Sequence, residues 1–174
     1  MKTQNKFLIV SLIIFIAVSC STTARFVPVP VTRVIEKERI VNKPFEVVWQ
    51  SAVEWFATHN TPIKNMDKSS GLISTEYSLP LSDASRYMDC GSTKSSFSGY
   101  TNLENHSGNF NVLLKKVGDN ATKININVFF GCSVNTYQSK GLLSTDYVLK
   151  SSSRINCTTT GTLEKEVLDY IEAF

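Results

Sequence analysis

The sequence predicts an α+β fold, an antiparallel β-sheet with an N-terminal and a C-terminal helix packed on one face, in the order strand, helix, four or five strands, helix. Three observations predict it. Phe45, Val48, Trp49, Ala52, Val53 and Phe56 recur at the three- and four-residue spacing of one helix face. Ile124, Ile126, Val128, Phe130, Cys132 and Val134 alternate along one side of a strand. Leu163, Val167, Tyr170, Ile171 and Phe174 make a second helical stripe. Two amphipathic helices and a half-buried sheet hide all three apolar faces by stacking as two layers.

The chain starts with Lys2 and Lys6, an unbroken apolar stretch from Phe7 to Val18, and small Ser19 before Cys20. That order is a secretory leader, and the stretch is shorter than the roughly 20 residues a membrane-spanning helix needs. Ala17-Val18-Ser19-Cys20 resembles a bacterial lipobox. The resemblance implies that residues 1–19 are a lipoprotein signal peptide and that Cys20 carries a covalent diacylglycerol and an N-acyl chain such as palmitate. With Ser21 next, it also implies an outer-membrane, periplasm-facing protein of the bacterial envelope. Ala17 stands where the motif usually has Leu, and Ala17-x-Ser19 also suits ordinary signal peptidase, which would leave a soluble exported protein. Residues 20–32 then read as the lipidated Cys and a semi-extended tether, since Pro28 and Pro30 bias Val27 and Val29 away from helix. The alternative reading of its Phe and Val side chains is a recognition segment, which the spacer habit of short Pro-rich stretches disfavours.

Residues 33–174 form the single domain. Val34 to Val41 has the charge alternation of a strand, and Pro44 suits the first turn of the following helix, which ends at His59-Asn60-Thr61-Pro62. Ile63 to Met66 and Leu72 to Leu79 flank Asp67-Lys68-Ser69-Ser70-Gly71 as a hairpin. Residues 81–108, rich in Ser, Gly, Asn and Asp, read as a long polar loop that is either functional or mobile. Phe110, Val112 and Leu114 alternate up to a turn at Gly118–Ala121, a further strand is expected over Leu142–Leu149, and Thr158 to Thr162 offer N-cap oxygens to the last helix.

The phrases Pro44-Phe45-Glu46-Val47-Val48-Trp49, Ile63 to Thr75 and Cys157 to Glu164 resemble small Gram-negative envelope lipoproteins. The element order is similar to the helix-grip domains of BamC, a lipoprotein of the outer-membrane β-barrel assembly machine. The likeness covers about residues 33 to 174 and implies a helix-grip-like fold and an envelope protein partner. BamC has two such domains after a long N-terminal segment; this chain has length for one.

Of the remaining cysteines, Cys132 sits among apolar neighbours on its strand and reads as a buried hydrophobe, whereas Cys90 and Cys157 lie in polar surroundings. A Cys90–Cys157 disulfide is expected, staking the long loop to the entrance of the last helix; a Cys132–Cys157 bond or none are the alternatives. His59 and His106 are far apart in sequence and lack ligand spacing, so no metal is expected, and His59 reads as a helix C-terminal residue. No serine lies in a nucleophile elbow and no glycine-rich phosphate loop occurs. Glu164, Glu166 and Asp169 read as a solvated helix face. Without Lys2 and Lys6 there are 16 basic and 15 acidic side chains, a balance that gives nucleic acid no electrostatic purchase.

The expected function is therefore that of a non-enzymatic, membrane-anchored interaction module in outer-membrane assembly or maintenance, with Trp55, Phe97, Tyr100 and Tyr137 as candidate partner-binding aromatics and no cofactor beyond the acyl chains. The alternative is a small-ligand or lipid-binding protein using a cavity between sheet and helices, lined by the face from Ile124 to Val134.

Overall fold

The computed structural model describes residues 25–29, 34–77, 81–96, 98–141 and 144–174. In order these form β1 (Arg25–Val27), β2 (Glu38–Val41), α1 (Phe45–Thr58), β3 (Ile63–Asp67), β4 (Leu72–Tyr77), α2 (Leu81–Tyr87), β5 (Met88–Asp89), β6 (Ser92–Lys94), β7 (Gly99–Gly118), β8 (Ala121–Ser139), β9 (Tyr147–Thr159) and α3 (Thr162–Ala173). The fold is α+β. The main sheet has the order β3-β4-β7-β8-β9-β5, with β2 also paired to β8, and its pairings are antiparallel. Helices α1 and α3 pack on each other and both lie against β8, so they share one face. No described helix is long and apolar enough to cross a membrane.

The alternating run Ile124 to Val134 forms the middle of β8, and β7 pairs with nearly all of it from Gly99↔Gln138 to Gly118↔Ala121. At about 3.3 Å per residue such strands are about 65 Å in contour, whereas a 14-residue helix spans about 21 Å. The helices therefore cover only part of the ribbon. On the other edge of β8, β2 takes Thr122 to Asn125 and β9 takes Phe130 to Ser139.

Under the helices, Phe110, Val112 and Leu114 of β7, Ile124 and Ile126 of β8 and Ile73 of β4 meet Val48, Ala52, Trp55 and Phe56 of α1 and Leu163, Val167, Leu168 and Ile171 of α3. Phe56 stacks on Phe110 with ring centroids 5.2 Å apart, and Trp55 meets the same ring edge-on at 5.7 Å. The sheet face expected to line a ligand cavity is thus filled by helix side chains where Ile124 and Ile126 lie. Phe174, expected in the α3 stripe, is half exposed at the helix end.

Five further expectations are corrected. Residues 81–108 are not a loop: they form α2, β5, β6 and the first half of β7, which raises the strands between the long helices to seven. Part of the expected tether, Arg25 to Val27, is β1, paired with Ser92 to Lys94 of β6. Immediately before β6, Gly91 has φ +88°, and a Cβ there would lie 2.4 Å from the Val27 carbonyl oxygen; only glycine lets the two strands approach. The strand expected over 142–149 starts at Tyr147 and runs ten residues beyond Leu149, to Thr159, where serines without alternation conceal it. Finally, the N-cap residue of α3 is Gly161 in the left-handed region and not a threonine, while threonine oxygens still serve the helix entrance, Thr160 Oγ1 accepting from the Thr162 N–H at 3.4 Å and Thr159 Oγ1 from the Gly161 N–H at 3.0 Å. The same hydroxyls donate outward: Thr160 Oγ1 to the Arg86 carbonyl and Thr159 Oγ1 to Glu164 Oε2 at 2.9 Å. Glu164 is consequently buried and does not belong to a solvated face.

The other three acids of α3 are staples. Glu166 pairs with Arg86 of α2. Asp169 and Glu172 accept hydrogen bonds from Arg39 of β2 at 2.9 and 2.7 Å, while the same guanidinium grips both oxygens of Glu36 at 2.7 Å. This ties an edge strand from the start of the domain to its last helix.

Two predictions follow from this packing. Phe110→Ala removes the ring on which Trp55 and Phe56 rest and costs about 3–5 kcal/mol, read from urea unfolding. Arg39 holds the Glu36 carboxyl below the ordinary carboxylate range; Lys165 and then Arg39 do the same for Asp169. Depressed folded-state values mean that the stabilisation is complete above the unfolded pKa of about 4 and is lost as pH falls through the folded one. Arg39→Met should therefore lower Tm at pH of about 7 and leave a smaller difference from wild type at about pH 3.

Candidate functional site

Of the four aromatics expected to bind a partner, Trp55 is excluded: it is 2% exposed. A single stripe centred on Val48 and Ala52 would leave this flank of α1 open, but Phe110 of β7 meets the Trp55 ring edge-on at 5.7 Å and His59 stacks on it at 4.4 Å, with Tyr170 of α3 edge-on to His59 at 5.9 Å. His59 also caps α1 as expected, with Nδ1 2.8 Å from the Trp55 carbonyl oxygen. Phe97 and Cys20 lie outside the described residues.

Tyr100 and Tyr137 are brought together. They are cross-strand partners on β7 and β8, stacked with centroids 4.9 Å apart, and Tyr147 of β9 closes on Tyr100 edge-on at 5.0 Å. Register places Tyr147 opposite Ser139 and Leu149 opposite Tyr137, so Tyr137, Tyr147 and Leu149 project from one side of the ribbon. Beside them Glu104 accepts from Asn135 Nδ2 at 2.7 Å and from the Tyr137 hydroxyl at 3.4 Å, and Asn135 accepts from Ser152 at 2.6 Å. Burial and then the Glu104 charge push the Tyr137 phenol up from its ordinary pKa, so the hydroxyl stays a donor. Tyr147, Val148 and Leu149, which sequence reasoning passed over as part of a weak strand, are 45%, 43% and 53% exposed. Their signal was present as three consecutive large residues in a serine-rich stretch.

The second assembly is sulfur and imidazole. Cys90 and Cys157 are joined, which realises the expected disulfide and stakes the segment after β5 to β9. Cys132 is free and buried as expected. Its thiol pKa is pushed up by burial, with Arg154 acting in the opposite direction, so it rests as the thiol and is a poor nucleophile toward the adjacent disulfide. His106, expected in a mobile loop, is in β7, and its ring nitrogen, Cys90 Sγ and Cys132 Sγ lie within 4.8 Å of one another.

The backbone explains this meeting. Between Glu104↔Ser133 and Ser107↔Gly131, β7 uses one residue more than β8, a β-bulge at Asn105–His106. Asn105 takes φ +52°, left-handed for a non-glycine residue, and the extra residue turns His106 toward the side of Cys132. His106 Nδ1 is buried with no hydrogen-bond partner.

A third feature is an open cleft of about 630 Å³ whose lining includes Asn60, Ser107, Phe129, Arg154 and Asn156. Arg154 donates to Ser107 Oγ across it. One cation, several amides and no carboxylate or histidine among the lining residues can hold a polar ligand but supply no general base. Comparison with protein-family models, with curated proteins and with solved structures finds no match for this chain.

Joining residues 67 apart, the disulfide restricts the unfolded chain, and its reduction or the Cys90→Ala/Cys157→Ala pair should lower unfolding free energy by about 2–4 kcal/mol in urea titrations.

Proposed function

We propose that this chain is a non-enzymatic, lipid-anchored protein of the bacterial envelope, acylated on Cys20 at the outer membrane and facing the periplasm. Its domain is a protein-interaction module for outer-membrane assembly or maintenance, and it meets its partner through the tyrosine end of the β7–β8–β9 ribbon. The leader and the lipobox-like Ala17-Val18-Ser19-Cys20 support the address. Only four residues lie between Cys20 and Arg25, so the start of β1 is leashed within about 18 Å of the anchor. The free end of the ribbon, not the tether, supplies the reach.

The observation that carries the interaction reading is the outer edge of β9. Among the described strands, β9 meets β8 on one side and only β5 on the other, and β5 reaches only Thr158 and Thr159. The backbone from Tyr147 to Asn156 therefore presents unpaired donors and acceptors next to exposed Tyr147, Val148 and Leu149. An extended segment of a partner can add a strand there, with main-chain hydrogen bonds giving affinity and the tyrosines giving specificity.

A photo-crosslinking residue at Leu149 in cells should yield adducts to a discrete envelope protein, whereas one at Asp119, at the opposite end of the ribbon, should yield none. Equal labelling at both positions, or none at Leu149, would overturn the interface. Intact mass of the membrane-extracted protein should match a chain starting at Cys20 with diacylglycerol and one N-acyl chain. A chain still starting at Met1 would overturn the anchor.

A further inference from the structure

We infer that Cys90, Cys132, Cys157 and His106 form a latent Cys₃His zinc site, closed while the Cys90–Cys157 disulfide is intact and opened by its reduction. The inference is independent of the proposed partner and of the lipid anchor.

Three of the four ligand atoms already converge: Cys90 Sγ, Cys132 Sγ and a His106 ring nitrogen lie within 4.8 Å of one another. The fourth, Cys157 Sγ, is covalently attached to the first. Phe130 is opposite Cys157 and Ile155 opposite Cys132, so Cys132 and Cys157 are diagonal neighbours on adjacent strands with side chains on the same face. Zinc bonds of about 2.3 Å to sulfur and 2.0–2.1 Å to nitrogen place tetrahedral ligands about 3.5–3.8 Å apart. Closing from 4.8 Å asks for side-chain movements of about 1 Å, and the two bonded sulfurs must separate by about 1.7 Å once reduced.

Two features distinguish this from a chance gathering of buried cysteines. Nδ1 of His106 is buried and makes no hydrogen bond, a costly state for a polar atom unless something else engages it. The residue that aims it there is the bulge with left-handed Asn105, a strained backbone at the one point where the ribbon carries sulfur on its inner face. His106 comes from β7, at the bulge, and Cys132 and Cys157 from paired positions of β8 and β9, so three of the four ligands sit on the sheet.

The chemistry balances with a dithiol reductant. The dithiol passes two electrons and two protons to the Cys90–Cys157 bond, breaking S–S and leaving two thiols while it becomes its own disulfide. Zn²⁺ then displaces the protons of Cys90, Cys132 and Cys157, and neutral His106 completes the tetrahedron. The complex carries one net negative charge.

The test uses the full chain in detergent, reduced with a water-soluble phosphine, which competes poorly for zinc. Native mass spectrometry after addition of Zn²⁺ alone should show one zinc on the reduced protein and none on the oxidised protein. Co²⁺ as a spectroscopic probe should give the visible bands of a tetrahedral site with thiolate charge transfer in the near ultraviolet. Cys132→Ser should remove one thiolate contribution from that transition, and Cys132→Ser or His106→Ala should each weaken zinc binding by at least about tenfold. Circular dichroism of the oxidised variants, whose disulfide is intact, checks that they fold. Zinc should also raise the Tm of the reduced wild type. No stoichiometric zinc on the reduced wild type, a cobalt spectrum without thiolate charge transfer, or affinity unchanged in both folded variants would overturn the proposal.

Discussion

One residue inserted into one of two long paired strands reverses which side chains face inward beyond it, and this structure is organised around such an insertion. On the turn side of Asn105–His106, β7 buries its even-numbered residues Phe110, Val112 and Leu114; on the far side it buries odd-numbered Gly99 and Thr101. Strand β8 keeps one phase throughout, with Ile124, Ile126, Phe130, Cys132 and Val134 all buried. The ladder survives because the extra residue is absorbed locally as a bulge, at the expense of a left-handed asparagine. The same offset turns His106 toward Cys132, and it divides a helix-covered half of the ribbon from an extended half that carries the tyrosines.

Each half is held by a different kind of restraint. Near the hairpin turn, apolar burial dominates: Phe110 alone contacts Trp55 and Phe56, and such rings contribute several kcal/mol each, more than surface ion pairs, which contribute about 0–1 kcal/mol. Arg39 gains from binding three acids at once and from linking β2 with α3, where two distant parts of the chain must stay in register. Over the far half no long helix is available. There the chain lays down α2, β5 and β6, joins Cys90 to Cys157, and pairs β6 with β1 from the start of the domain. Small cores need such staples because they bury too little apolar surface to hold a long polar segment.

This division gives the two candidate surfaces their characters. The tyrosine end exposes Tyr147, Val148 and Leu149 beside a β9 edge that no described strand pairs from Tyr147 to Asn156, which suits recognition of an extended segment. The sulfur cluster is buried beneath the stapled segment, where a disulfide, a free thiol and an imidazole are close enough for the redox state of one bond to decide what the others can bind.

What the sequence by itself determined is whatever depends on an uninterrupted period: α1 from Phe45 to Phe56, β8 from Ile124 to Val134, α3 from Leu163 to Ile171, and the hairpin around Asp67–Gly71. The Cys90–Cys157 pairing was also legible, since Cys132 belonged to an apolar phase and the other two did not. Tertiary structure decided the rest wherever periodicity failed or a partner was distant. The first half of β7 was hidden because its phase breaks at the bulge and its residues are polar, and β9 was hidden because neighbouring serines show no alternation. Trp55 and Glu164 were misplaced because their surroundings are set by Phe110 of β7 and by Thr159, neither visible in the helix that carries them. The meeting of Cys90, His106, Cys132 and Cys157 has no spacing signature, because strand pairing across more than sixty residues creates it. A local pattern reports only what a residue's neighbours along the chain do to it; register between strands determines what it meets through space.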